Sequence, residues 1–256
     1  MWTIVILGVV QGLTEFLPVS SSGHLVFMKF LFGFQSPGAG LEVFLHLGTL
    51  IAVLWVYRHW IKTWLSGLLQ GRSQAYHMLA CLTLASLPAG LVGLLAGHWI
   101  EQHFTLGAVI AGWVGTGLIL WVMPKTSQDG EPDRPLRVCD AWWIGCAQAL
   151  ALWPGLSRSG STIAMARYLG VNPNDAAQFS FLLAIPAVVG ASVIELPHMV
   201  LTHISWDRWA GGALIAAVTG VIAIQWITRI VNRPRAWREF AVYLWGLAVL
   251  GWILGG

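Results

Sequence analysis

A carboxylate and a carboxamide stand four residues apart near the start of the chain, in the segment QGLTEFLP. At that spacing Gln11 and Glu15 share one face of a helix. The neighbouring residues are apolar, and a carboxylate at membrane depth is costly enough to indicate a function. General-base chemistry and an ion pair with Arg158 that joins two parts of the chain are the roles open to Glu15.

The first of two polar segments, PVSSSGH, follows at once and contains Ser20, Ser21, Ser22, Gly23 and His24. Serine and glycine at a helix start leave backbone N–H groups free, and the helix dipole adds partial positive charge there. Anions bind readily at such helix starts. The imidazole of His24 could act as acid, base or ligand. A single segment of this kind is more typical of a plain N-cap.

The second polar segment, PGLSRSGST, repeats the arrangement with Ser157, Ser159, Gly160 and Thr162, and it adds Arg158. The guanidinium group is a permanently charged planar fork that suits phosphate oxygens. Its cost inside a bilayer argues against an incidental position. Two anion-binding turns together with an arginine, a glutamate and a histidine predict a site for a phosphorylated group.

Membrane helices must position these residues. The 256-residue chain is 57% hydrophobic and only 10% charged, with a mean hydropathy of +0.70. Soluble domains carry about 25% charged residues, so this composition excludes a soluble protein. We expect membrane lipid as a partner and no nucleic acid.

Six apolar runs are long enough to cross a bilayer, near 42–58, 76–98, 104–123, 176–195, 208–228 and 239–255. The polar segments interrupt two further apolar stretches, 2–33 and 140–170, which are expected to form re-entrant hairpins. Within the first run, Glu42, His46 and Thr49 share a helical face. His46 and Thr49 could line the site, although packing between spans is the role expected of lone polar residues.

The positions of the basic residues predict the orientation of this arrangement. If both hairpins return to the side they enter and the six runs cross, only Lys29 and Arg208 face one side. The side with more basic residues is then cytoplasmic. Its loops lie near 59–75, 124–139 and 229–238, and both termini are outside. Eleven basic residues face that side: Arg58, Lys62, Arg72, Lys125, Arg134, Arg137, Arg167, Arg229, Arg233, Arg235 and Arg238.

The two broken stretches are related in sequence. Residues 8–25 align without gaps with residues 145–162, and six of the eighteen positions are identical, against about one or two expected by chance. We therefore expect a single membrane domain over 1–256, made of repeat 1 (about 1–123) and repeat 2 (about 139–256). The repeats are inverted, because the first hairpin enters from outside and the second from the cytoplasm. Such pairs build sites near the midplane.

Four long motifs carry a resemblance to a known family: QGLTEFLPVSSSGH at 11–24, EVFLHLGTLIAV at 42–53, ALWPGLSRSGSTI at 151–163 and FSFLLAIP at 179–186. In these motifs the chain resembles bacterial undecaprenyl-diphosphate phosphatases of the bacitracin-resistance type. The resemblance implies an inner-membrane enzyme that hydrolyses a polyprenyl diphosphate lipid to the monophosphate and inorganic phosphate. It also implies bacitracin resistance and a role in recycling the carrier of peptidoglycan synthesis.

The resemblance implies site roles and a divalent metal, Mg²⁺ or Ca²⁺, with Glu15 as its ligand. Catalysis is expected from Glu15, Ser21, His24 and Arg158. Substrate binding is expected from Gln11, Ser20, Ser22, Gly23, Ser157, Ser159, Gly160 and Thr162. The attacking group is a serine, a histidine or water. Gln11 departs from the glutamate of many relatives.

Three further expectations concern the site as a whole. It is expected to open to the periplasm or exterior, because most of its reacting groups lie on the hairpin that enters from that side. A homodimer is one assembly to test. An inverted-repeat transporter or flippase for a polyprenyl phosphate is the alternative function, since it would need the same anion site.

Overall fold

The computed structural model describes residues 2–33, 39–124, 133–199 and 206–255, and these residues are helical throughout apart from short connections. The isolated bridge between Arg134 and Val171 is the single β-type pairing in those ranges. The predicted all-α class is confirmed. The helices are α1 (Trp2–Phe16), α2 (Ser21–Phe32), α3 (Ala39–Val56), α4 (Arg58–Leu69), α5 (Ser73–Gln102), α6 (Leu106–Val122), α7 (Val138–Leu150), α8 (Arg158–Tyr168), α9 (Pro173–Met199), α10 (Trp206–Ile230) and α11 (Pro234–Gly255).

Helices in four regions are long and apolar enough to cross a bilayer: Ser73–Gln102, Pro173–Glu195, Trp209–Ile230 and Pro234–Gly255. They coincide with four of the six predicted spans, and the chain is an integral multi-pass membrane protein. The predicted run 104–123 corresponds to α6, a shorter apolar helix.

The first predicted span, 42–58, has a different end from the one expected. The helix α3 stops at Val56 and turns by 74° into α4, whose apolar side chains gather on one face. The segment predicted as the loop 59–75 therefore contains a helix. The basic residues of α4, Arg58 and Lys62, lie on its polar face, and their charge made the segment resemble a simple gap between spans.

Both predicted hairpins are broken where the polar segments begin. In the first, α1 ends at Phe16 and α2 begins at Ser21; in the second, α7 ends at Leu150 and α8 begins at Arg158. The same cap starts each second helix. The Ser20 hydroxyl accepts from the Gly23 amide at 3.2 Å, and the Ser157 hydroxyl accepts from the Gly160 amide at 3.1 Å. These N-caps satisfy one of the free amides in each first turn.

The hairpins pack in corresponding ways. The helix α1 lies against α10, α7 lies against α5, and α3 packs on α9 at the centre. Glycines at equivalent positions allow the close approach. A Cβ on Gly8 would lie 2.8 Å from the Gly212 carbonyl oxygen, and one on Gly145 would lie 2.5 Å from the Ala85 carbonyl oxygen. Small residues of this kind are what lets membrane helices pack closely.

A candidate active site between two helix N-termini

The starts of α2 and α8 meet inside the protein. The Ser159 hydroxyl donates to the Leu17 carbonyl oxygen at 2.9 Å, and a Cβ on Gly160 would lie 3.2 Å from the Pro18 side chain. The first-turn amides of both helices have no acceptor within their own helix apart from the serine caps. The contact therefore brings two partly positive helix ends to one place, as the repeated segments predicted.

Glu15 stands at this meeting point and gathers polar groups from several helices. The Ser21 hydroxyl donates to its Oε2 at 2.5 Å, and the Gln11 amide donates to the same oxygen at 2.9 Å. The other oxygen, Oε1, accepts from the Arg158 guanidinium. Glu15 is only 8% exposed and Gln11 is fully buried. A carboxylate bonded to a hydroxyl group is placed to take its proton.

The ion pair between Glu15 and Arg158 joins the two hairpins, so the structural role considered for Glu15 is present. The second arm of the guanidinium, Nη1, lies 3.4 Å from the Ser180 carbonyl oxygen of α9. A buried charge without a partner is strongly destabilising, so each of these residues needs the other in the resting protein. A narrow crevice with no room for a water molecule adjoins both side chains, and its other walls are Thr49 and apolar residues of α1, α3 and α9.

The other serines and threonine have supporting contacts. Ser20 and Ser22 face each other at 3.2 Å between their hydroxyl oxygens, and Ser157 and Ser159 do the same at 3.2 Å. The Thr162 hydroxyl donates to the Arg158 carbonyl oxygen at 2.8 Å, and its oxygen lies 2.6 Å from the Ser180 hydroxyl oxygen. These contacts fix the two turns.

His24 lies near the site, and its two ring nitrogens contact groups other than Glu15. Its Nδ1 is 2.7 Å from the Ser20 carbonyl oxygen, and its Nε2 is 2.8 Å from the Tyr243 hydroxyl of α11. Trp113 of α6 packs edge-on against the same ring and against Gly23. The predicted acid, base or ligand thus has both nitrogens engaged in protein contacts.

Three residues at the site were outside the predicted set of site residues. Packing between spans was the role expected for His46, with lining of the site as the alternative, and its Nε2 lies 3.7 Å from Glu15 Oε2. The helical spacing from Glu42 gave the one signal that could have found it. Tyr243 and Ser180 reach the site from α11 and α9, and no local pattern marks them.

The residues around Glu15 fit a hard divalent cation. The Gln11 Oε1 atom is buried without a hydrogen-bond partner, next to a carboxylate. Oxygen ligands of this kind suit Mg²⁺, which is commonly held by one or two carboxylates, water and substrate phosphates. No cluster of three or more histidine, cysteine or acidic side chains that could hold a metal occurs in the described ranges. A cation here would therefore depend on oxygens from the substrate.

These features define an integral membrane protein with a buried, ion-paired polar site between two helix N-termini. A family model described as bacitracin resistance protein BacA matches residues 4–250. The chain belongs to this family.

Relatives over nearly the full length have one common name. An undecaprenyl-diphosphatase of Elusimicrobium minutum is 39% identical over 248 residues, which cover 96% of this chain and 95% of the relative. One from Hahella chejuensis is 36% identical, and the match covers 98% of this chain and 97% of the relative. One from Saccharophagus degradans is 37% identical, and the match covers 90% of this chain and 89% of the relative.

Proposed function

We propose that this chain hydrolyses undecaprenyl diphosphate to undecaprenyl phosphate and inorganic phosphate, which recycles the lipid carrier of peptidoglycan synthesis. The observation that carries the proposal is the contact set in which Glu15 bonds the Ser21 hydroxyl through one oxygen and Arg158 through the other. A nucleophile, a base and a cation are thus assembled at two anion-binding helix starts. The names of the relatives support the substrate. Bacitracin resistance follows, because hydrolysis removes the diphosphate that the antibiotic traps.

The diphosphate is held by charge and by backbone amides. Arg158 supplies a two-pronged donor, and the first turns of α2 and α8 supply free N–H groups and the positive ends of two helix dipoles. In the resting protein Arg158 is paired with Glu15. Substrate therefore shares the guanidinium with Glu15, which leaves the carboxylate freer to accept a proton.

The chemical step uses Ser21 as the nucleophile. Its oxygen forms a bond to the terminal phosphorus as its proton passes to Glu15 Oε2, and the bond from that phosphorus to the bridging oxygen breaks. Undecaprenyl phosphate leaves on the bridging oxygen and takes the proton from Glu15. Water then attacks the phosphoserine phosphorus as its proton passes to Glu15, and the bond from phosphorus to the Ser21 oxygen breaks. The proton returns from Glu15 to that oxygen, which releases phosphate and restores the hydroxyl. Arg158 and the helix starts stabilise the charge on the equatorial oxygens.

A divalent metal supplies further charge neutralisation on the phosphate oxygens when bound, and Glu15 and the Gln11 carbonyl oxygen would hold it. We expect Mg²⁺ or Ca²⁺ because the donors are all oxygens. Activity with and without a chelator, followed by addition of single cations, identifies the ion.

Phosphate release from the purified protein in detergent, with undecaprenyl or farnesyl diphosphate, tests the proposal directly. Ser21→Ala should abolish release, whereas Ser86→Ala, which removes a back-bonded serine in α5, should not. Mass spectrometry after rapid quenching should find phosphate on Ser21. An active Ser21→Ala variant would show that water, and not Ser21, attacks the phosphorus.

The site is proposed to open to the periplasm or exterior, within six spans and two inverted re-entrant hairpins. The matching caps of α2 and α8 and the corresponding packing of α1 on α10 and α7 on α5 support the repeats, 1–123 and 139–256. A membrane-impermeant thiol reagent should modify Ser21→Cys in intact cells, and a diphosphate analogue should block it. Labelling confined to inverted vesicles would reverse the orientation.

A homodimer stays a prediction. Light scattering in detergent, which measures the mass of the assembly, tests it.

A transporter or flippase of a polyprenyl phosphate is the second candidate, favoured by the paired broken helices. Transport requires the anion site but not a hydroxyl bonded to a carboxylate at 2.5 Å. A transporter would bind the monophosphate, label from both sides and release no phosphate.

A further inference from the structure

We infer that Tyr243 is a positioning residue that acts through His24 on the turn at Ser20, and that His24 serves as a clamp on this turn rather than as an acid or base. The inference rests on the proposed phosphatase activity and assigns a role to a residue 219 positions away in sequence from His24.

The direction of each hydrogen bond follows from the partners. A carbonyl oxygen can only accept, so the proton of His24 must be on Nδ1, which bonds the Ser20 carbonyl at 2.7 Å. In the neutral ring Nε2 is then an acceptor, and the Tyr243 hydroxyl donates to it at 2.8 Å. The two aromatic rings are also stacked, with centroids 5.8 Å apart. The Ser20 carbonyl therefore fixes the tautomer, and Tyr243 holds the orientation of the imidazole.

The turn that receives this clamp is strained. Ser20 has a φ of 66° and a ψ of 101°, and it is the one non-glycine residue with positive φ in the described part of the chain. Such a conformation persists only where surrounding contacts impose it. The Ser20 carbonyl accepts two bonds, from the His24 backbone amide at 3.2 Å and from Nδ1. The next residue is Ser21, whose hydroxyl lies 2.5 Å from Glu15.

The second hairpin provides an internal comparison. Its equivalent cap, Ser157, has a relaxed φ of −76°, and the position equivalent to His24 is Ser161. The Ser161 amide still donates to the Ser157 carbonyl at 2.9 Å. A histidine clamp and a left-handed serine thus occur together, in the hairpin that holds the nucleophile. The clamp is needed where Ser21 must be turned toward Glu15.

Two substitutions of His24 separate a clamp from an acid–base group. His24→Asn places an amide N–H where Nδ1 stands, and His24→Gln places its amide where Nε2 stands. If His24 is a clamp, His24→Asn should keep kcat within about tenfold of the unmodified protein, because the asparagine amide replaces the imidazole as the donor to Ser20. A tenfold loss corresponds to one or two hydrogen bonds. His24→Gln loses the donor to Ser20 and should lower kcat about a hundredfold, with KM little changed, because the nucleophile is displaced.

The link to Tyr243 is tested by a double-mutant cycle on phosphate release from farnesyl diphosphate. Tyr243→Phe should lower kcat about two- to tenfold in the unmodified protein and have no further effect in the His24→Asn variant, since Nε2 is then absent. Tyr76→Phe removes a peripheral hydroxyl contact of α5 and should leave kcat unchanged. Thermal unfolding of each variant checks that it folds.

The possible results distinguish the two proposals. An unmodified protein that releases no phosphate contradicts the phosphatase function itself. An active protein in which His24→Asn is as inactive as His24→Ala overturns the clamp and restores proton transfer to His24. Equal effects of Tyr243→Phe in both backgrounds would show that Tyr243 does not act through His24.

Discussion

Replacing Arg158 by lysine keeps a positive charge beside Glu15 and removes the planar fork. In the structure one arm of the guanidinium pairs with Glu15 while the other lies 3.4 Å from the Ser180 carbonyl oxygen. A single ammonium group can retain the ion pair with Glu15 but cannot also reach the second acceptor, which lies in a different direction. The Lys variant should therefore fold, and its free energy of unfolding should fall by about 0.5–1.5 kcal/mol because one hydrogen bond is lost.

Activity should fall much further than stability. The second arm is the donor available to a phosphate oxygen in the transition state, and loss of one such donor costs about 10²–10³ in kcat. Arg158→Met provides the contrast: it leaves Glu15 buried without a partner, which costs about 3–5 kcal/mol and should impair folding itself. Phosphate release and thermal unfolding, measured on the same detergent preparations, separate the two effects.

Arg238→Lys is the matched control, because that exposed guanidinium lies over the Trp121 ring, 5.1 Å from its centroid, and away from Glu15. Its kcat should be unchanged. A Lys variant of Arg158 with kcat within about threefold of the unmodified protein would show that a point charge is sufficient, and the positioning role of the fork would be abandoned.

Further predictions address the carboxylate, the orientation and the turn. Glu15→Gln should abolish phosphate release because both base and ligand roles need the carboxylate, and a fully active variant would contradict the mechanism. Gln11→Glu should keep activity and alter the metal preference in cation titrations. Gln70→Cys should be labelled by impermeant reagents from the cytoplasmic side only, and labelling from outside alone would reverse the topology. Gly155→Ala should lower stability by about 2–4 kcal/mol in denaturation, because φ is +83° and its Cβ would lie 2.3 Å from a carbonyl oxygen, whereas Gly93→Ala has open space and should not destabilise.

The sequence predicted the features that depend on local chemistry. Four spans followed from long apolar runs, and the two helix starts followed from the serine and glycine residues of the polar segments that contain Ser20 and Ser157. The repeat alignment also placed Arg158 beside Glu15, because corresponding hairpins were expected to meet at their tips. Side chains in these short motifs have few alternative positions.

The features that were missed depend on packing between distant segments. The helix α4 is amphipathic, and its charges resembled those of a polar gap. The orientation of His24 is decided by Tyr243, which lies in the apolar helix α11 and has no local signal. His46 approaches Glu15 because α3 packs beside α1, and the helical spacing from Glu42 indicates a shared face but not which helix that face contacts.

The ion pair between Glu15 and Arg158 has a consequence for the order in which the chain is made. The two residues are 143 positions apart, so the carboxylate emerges from the ribosome long before its countercharge. At about 5–20 residues per second, this delay is roughly 7–30 s. During that time the first hairpin cannot be sealed into the bilayer as an ionised, unpaired segment. Glu15 therefore gains its partner only after α8 has been made, and until then a protonated carboxyl group is the form that α1 can carry into the bilayer.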